Sequence, residues 1–286
     1  MPDVSGVERG RLPTFAIIGA MKGGTTSLYQ ILRLHPDVFM CTPKEPSFFV
    51  AEHAWDQGLG WYTGLFAAAG AASAVGEAST NYTKYPVFGG VPDRMYEVVP
   101  DVRLIYLVRD PIERIRSHYL HNLSRARERR SFEEAVRTDP IYLDCSRYTT
   151  QLEQFRQRFP AEQILVITSD SLRHDQATTV RRTLEHIGVD PHVTLGGPAV
   201  HHRTADKRRP RRGVASLRKS PLAGVASSVL PASIRAAVKR RLTDPVEPAD
   251  AVVTAEMRAE LATELGPEIA GLREYLGPDF DGWGIG

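Results

Sequence analysis

Three short apolar runs, Phe15 to Ile18, Val102 to Val108 and Gln163 to Thr168, alternate with stretches whose apolar residues recur at helical spacing. Runs this short and continuous read as buried strands. The helical stretches, Thr26 to Leu34, Pro111 to Ser124, Ser131 to Thr138 and Arg147 to Phe159, return the chain by right-handed crossovers, so the strands lie parallel. The expectation is an α/β fold: a three-layer sandwich with a central parallel sheet covered on both faces. With 286 residues, 42% of them hydrophobic, the chain can bury one substantial core. We read 1–286 as a single domain. A basic loop at about 201–220 and a helical segment over 221–286, with amphipathic stretches at Ala232 to Leu242 and Ala255 to Tyr275, form its cap.

Charge is unevenly spread. Between His201 and Thr243 stand twelve Lys and Arg against one acid, Asp206, although the whole chain carries a net charge of only +2. Such a patch attracts polyanions, yet it lacks aromatic interleaving and a reading helix, which argues against nucleic acid as the main partner. The longest weakly polar stretch, GLFAAAGAASAVG at 64–76, is too short to span a bilayer, and MPDVSGVERGRLP has no apolar core of a signal peptide. A cytoplasmic protein is expected. Cys41 and Cys145 form neither a metal-ligand spacing nor a disulfide framework, which suits a reducing compartment.

The first apolar run opens into GAMKGGTTSL at 19–28. Gly19, Gly23 and Gly24 permit positive φ and close backbone approach, and the helix start offers N–H groups that favour an anion. Thr25, Thr26 and Ser27 add hydroxyls. Set on the P-loop pattern G-x-x-x-x-G-K-[ST], the lysine position holds Thr25 and the cation has moved back into the turn as Lys22. Taken alone, the turn also fits tight packing with Lys22 solvated. The second run ends in RDPIERIRSHYLHNL, where Asp110 is suited to cap a helix and Pro111 to open it. Arg109 at the strand end and Ser117 two turns into the helix can converge on one further phosphate, although taken alone the segment fits an ordinary capped helix with a surface arginine better. In PKEPSFF, Pro43 and Pro46 bracket Lys44 and Glu45, and Phe48 and Phe49 anchor the loop.

GAMKGGTTSL, PKEPSFF, GEASTNY and RDPIERIRSHY occur in the order and at the spacing of sulfotransferases that use 3′-phosphoadenosine 5′-phosphosulfate (PAPS). The chain resembles their bacterial and heparan-type branch over almost its whole length. The resemblance implies a P-loop-NTPase-like sulfotransferase fold. It implies that Lys22, Gly23, Gly24, Thr25, Thr26 and Ser27 bind the 5′-phosphosulfate, that Arg109 and Ser117 bind the 3′-phosphate, and that Glu45 is the catalytic base. His121 falls where some heparan-type relatives carry a histidine near the reaction centre, so the base is Glu45 or His121. After Pro198 the likeness weakens.

The implied activity is transfer of a sulfuryl group from PAPS to a hydroxyl or amine of a small-molecule or glycan acceptor, for example in secondary metabolism, leaving adenosine 3′,5′-bisphosphate (PAP). No metal is expected, because the sulfuryl group carries less charge than a terminal phosphoryl. Two alternatives stay open: a P-loop-like ATP-dependent kinase, and a polyanion-binding protein built on KRRPRR at 207–212. Loop 53–66 and the residues near Tyr82 and Tyr142 are expected to line the acceptor pocket; Trp55, Trp61 and Tyr62 either stack on a sugar or phenolic ring there or, at least as well, pack in the core.

Overall fold

The computed structural model describes residues 11–195, 208–210, 243–245 and 247–285. Five strands, β1 (Phe15–Gly19), β2 (Val38–Met40), β3 (Ala74–Ala78), β4 (Arg103–Val108) and β5 (Ile164–Thr168), form one sheet in the order β2-β3-β1-β4-β5. Every pairing is parallel. The α/β sandwich expected from the sequence is therefore observed.

Residues alternate between two faces along the strands. Ala16, Ile18, Leu104, Tyr106 and Val108 enter one core, while Phe15, Ile17, Ile105 and Leu107 enter the other. The second core is closed by α1 (Thr25–Leu32) and by the helix Gln176–Ile187, through Leu28, Leu32, Val180 and Leu184. The first is closed by α2 (Gly58–Gly64), α3 (Val91–Val98), α4 (Pro111–Ser124), helices Phe132–Thr138 and Tyr148–Arg156, and the C-terminal helix Ala255–Gly271. This period-two division is why the strands read as continuous apolar runs.

Two strands escape the sequence reading. β2 has three residues, and β3 (AVGEA) carries a glycine and a glutamate at its centre, although all five of its residues are buried. Gly76 is required sterically, since a Cβ there would lie 2.3 Å from the Phe15 ring. The helix expected over 255–275 ends at Gly271, and a short helix, Arg273–Leu276, follows it. In the basic segment, Arg208–Pro210 pairs antiparallel with Thr243–Pro245, so those three residues are strand rather than loop. The remainder of loop 201–220 and the stretch Ala232 to Leu242 lie outside the described residues. No described helix is long and apolar enough to cross a membrane.

Candidate active site

Parallel strands end on one edge of the sheet, and the turns after the adjacent strands β1 and β4 leave from that edge. They are tied together: Ala20 N donates to Leu107 O at 2.7 Å, and Gly23 N folds back on Ala20 O at 2.8 Å. Gly23 sits so close to β4 that a Cβ would lie 2.4 Å from Leu107 O. The left-handed positions differ from those expected of three glycines. Lys22 itself has φ 70° and Gly24 has φ 107°, while Gly23 is not among the positive-φ residues. Gly24 supplies no side-chain cap to α1, and Ser27 N turns back to Gly24 O at 2.9 Å, so the helix starts on backbone bonds alone with its positive end facing the carboxyl edge, where an anion is favoured. Thr26 and Ser27 are half-buried at this helix start, whereas Thr25 is buried.

At the β4 end, Asp110 accepts from Ile112 N at 2.8 Å and Glu113 N at 3.1 Å, capping α4 as its sequence predicts. Tyr148 donates its hydroxyl to Arg109 O at 2.8 Å, fixing the backbone at the strand end. The Arg109 guanidinium lies 3.7 Å from the Glu113 carboxylate. Arg109, Glu113 and Ser117 follow one another at intervals of four, so they form a stripe along one face of the helix start. The acid in that stripe had no role in the sequence reading.

The loop bearing Glu45 docks on the end of β3, next to β1. Glu45 N donates to Ala78 O at 3.0 Å, Thr80 Oγ1 donates to Glu45 Oε2 at 3.1 Å, and Lys44 Nζ donates to Glu45 Oε1 at 2.7 Å. Glu45 and Ser47 both take left-handed backbone, at φ 65° and φ 52°. Phe48 and Phe49 are buried as expected, and Phe48 stacks on Tyr62 at 4.1 Å. Partial burial pulls the Glu45 pKa up. The Lys44 charge, hydrogen bonds from Lys44 and Thr80, and the Lys84 charge outweigh it and hold the carboxyl below the ordinary glutamate range. Glu45 is therefore an anion at neutral pH.

His121 lies in the last turn of α4 and is half-buried. Its neighbour His118 is buried, and its Nδ1 faces Arg114 Nη1 at 3.4 Å. Arginine only donates, so Nδ1 accepts and the ring proton resides on Nε2. Burial first, then the nearby Arg114, Lys84, His121 and Lys22 side chains, push the His118 pKa down to about 2, so it stays neutral. The same interactions show that Lys22, Lys84 and His121 share one electropositive neighbourhood, into which Glu45 also projects its field. Arg114 is fully buried and held by Ser146 Oγ at 2.6 Å and by the Tyr142 carbonyl. His118, Lys84 and Arg114 were missed because no local pattern marks them.

Around the expected acceptor lining, several aromatic residues take the core alternative. Tyr62, Tyr82 and Tyr142 are buried, and Trp55 packs on Phe48 at 5.2 Å. Trp61 alone of the three residues Trp55, Trp61 and Tyr62 is exposed. Among the described residues no cluster of His, Cys, Asp and Glu could hold a metal ion.

An open parallel sheet with two anion-favouring turns side by side on its carboxyl edge defines an α/β protein of the phosphate-binding kind. The chain belongs to the sulfotransferase domain family, whose model matches residues 12–212. Mouse heparan sulfate glucosamine 3-O-sulfotransferase 6 is 32% identical over 203 residues, which cover 68% of this chain and 57% of that protein. Human bifunctional heparan sulfate N-deacetylase/N-sulfotransferase 3 is 30% identical over 202 residues, 64% of this chain and 23% of its own length. The chain thus spans about half the length, or less, of the curated relatives it matches. Among solved structures, a sulfotransferase from Alicyclobacillus acidocaldarius superposes with a TM-score of 0.66 at 25% identity, covering 96% of this chain and 99% of that one. Family membership sets the kinase alternative aside. The polyanion-binding alternative rests on 207–212, of which only 208–210 are described.

Proposed function

We propose that this chain transfers the sulfuryl group of PAPS to a hydroxyl or amine of a small-molecule or glycan acceptor. The observation that carries the reading is the adjacency of the β1 and β4 turns, joined by the Ala20 to Leu107 hydrogen bond, with the Glu45 loop on the neighbouring strand end. The chemistry of these residues fits the donor. The uncapped start of α1, with Thr26 and Ser27, suits a 5′-phosphosulfate, and Arg109 with Ser117 suits a 3′-phosphate.

In the proposed reaction the acceptor oxygen or nitrogen forms a bond to sulfur as the bridging bond to PAP breaks. Lys22 faces the negative charge that gathers on the bridging oxygen, a contribution of about 3–4 kcal/mol for a well-aimed donor. Glu45, already ionised, takes the acceptor proton; His121 is the alternative base. The relatives' names point to glycans, so an acceptor of that kind heads the panel to be tried. The two buried free thiols, Cys41 and Cys145, suit the reducing, cytoplasmic setting that belongs to the same proposal.

The test is transfer of labelled sulfate from PAPS to a panel of glycans, phenols and amines, with mass spectrometry of the product. Calorimetry with PAP accompanies it. Sulfated product together with PAP binding is expected. Absence of any association with PAP overturns the proposal.

A further inference from the structure

β3 ends in a web of hydroxyls around one carboxylate. Glu77 is fully buried, and it accepts from Tyr62 Oη at 2.5 Å, from Tyr82 Oη at 2.9 and 3.0 Å, and from Ser79 Oγ at 2.7 Å. A serine hydroxyl has one proton. Because that proton points at Glu77, the Ser79 oxygen is left to accept, and it does so from Ser47 N at 2.9 Å. Asn81 Nδ2 holds the Ser47 hydroxyl at 3.1 Å from the other side. Ser47, itself left-handed, stands two residues after Glu45, which is also left-handed and meets Thr80 and Lys44.

We infer that Glu77 and Ser79 are positioning residues for Glu45. Glu77 orients the Ser79 hydroxyl, Ser79 grips the Ser47 amide, and that grip holds the Glu45 carboxylate toward the site. This rests on the sulfotransferase reading for its kinetic consequence. The relay itself is a matter of structure alone. None of its members touches either anion-binding turn by any hydrogen bond given above, so its loss should spare donor binding. Burying a carboxylate beneath two tyrosines serves poorly as mere packing, because an apolar side chain in the same space has no desolvation cost. The web instead gives the loop one geometry, against backbone angles that non-glycine residues avoid.

The experiment compares the full chain with S79A, S79T and E77Q. A glutamine at 77 has one acceptor oxygen where Glu77 has two, so it cannot take the Ser79 hydroxyl on one side and the Tyr62 and Tyr82 hydroxyls on the other as Glu77 does. S79A is the milder change and covers the case in which E77Q does not fold. Three quantities are read: exchange protection of the Ser47 amide, PAP affinity by calorimetry, and the pH profile of PAPS hydrolysis, with water standing for the acceptor. The expected result for S79A and E77Q is lost Ser47 protection, unchanged PAP affinity and turnover down about 10- to 100-fold, the scale set by misplacing a reacting group. The acid limb of the profile should move up, as Glu45 loses its hold on Thr80 and Lys44. S79T should restore protection, turnover and limb together. Unaltered protection and an unmoved limb in S79A overturn the relay, as does a loss of PAP affinity equal to the loss of turnover. Should the unsubstituted chain neither bind PAP nor turn over PAPS, the sulfotransferase reading fails, and Ser47 protection in S79A alone decides the relay.

Discussion

The Arg109 guanidinium and the Glu113 carboxylate face one another at 3.7 Å across the first turn of α4, where an anion is expected to bind. Glu113 also reaches Arg116 at 3.4 Å, so it is shared between two guanidinium groups. A bound 3′-phosphate competes with this carboxylate for Arg109. Glu113→Gln is therefore expected to tighten PAP binding by about 2- to 5-fold, the range of a partly exposed ion pair. Arg109→Ala is expected to weaken it by at least about 10-fold, as befits a charge-assisted hydrogen bond. Calorimetry with PAP, and with AMP as the analogue lacking the 3′-phosphate, checks both: neither substitution should alter AMP binding.

Lys22→Ala removes the cation from the β1 turn without touching the core. Turnover is expected to fall by about 10²- to 10³-fold, with the melting temperature and the circular dichroism spectrum unchanged. A purified variant with near-normal turnover removes Lys22 from the mechanism.

Glu45→Gln is expected to lower turnover by about 10²- to 10⁴-fold while PAP affinity holds. The sign of the pH dependence follows from the carboxyl being held below its ordinary range. Activity that needs the anion is complete above the ordinary glutamate pKa of about 4.3 and disappears only as the pH falls further, through the lowered value. A rate profile whose acid limb instead lies near pH 6 to 7 assigns the base to His121, given the ordinary histidine pKa of about 6.5.

Glu128 gives a separate test of stability. Its carboxylate accepts from Arg129 N at 2.8 Å and Arg130 N at 3.0 Å, and pairs with Arg130 Nη2 at 2.8 Å. Burial opposes the charge, but these bonds and one from Tyr142 prevail and lower its pKa from 4.5 to about 2. A lowered carboxyl contributes stability that is full above the unfolded pKa and lost as the pH falls through the folded one. Thermal melts between pH 7 and pH 2 should show Glu128→Gln less stable than the parent at neutral pH, with the gap closing between about pH 4.5 and 2.

The parts of this molecule that could be read from its sequence are those coded locally. Phe15 to Ile18 and Val102 to Val108 carry their burial in their own composition, and the glycines and proline around Lys22 and Asp110 carry the turns. β3 was unreadable because Gly76 and Glu77 are not strand-forming by themselves. One is demanded by the Phe15 ring, and the other is made tolerable by hydroxyls at 62, 79 and 82. The choice between acceptor face and core was open for Tyr62 for the same reason. A phenol near a functional motif gives no sign in sequence that its oxygen is committed to a buried carboxylate. Glu45 was legible as a candidate, but its left-handed backbone and its tether to Ala78 and Thr80 depend on a strand that the pattern did not reveal.

The Glu45 carboxylate is moored to the tip of β3, whereas the two turns suited to the donor hang from β1 and β4. In the proposed reaction, grip on the donor and the base that takes the acceptor's proton are thereby mounted on separate strand ends. The 42–50 loop can then vary with the base while the donor's seat stands, whereas 79–84 is bound to that seat through Thr83, whose hydroxyl donates to Ile18 O at 3.0 Å.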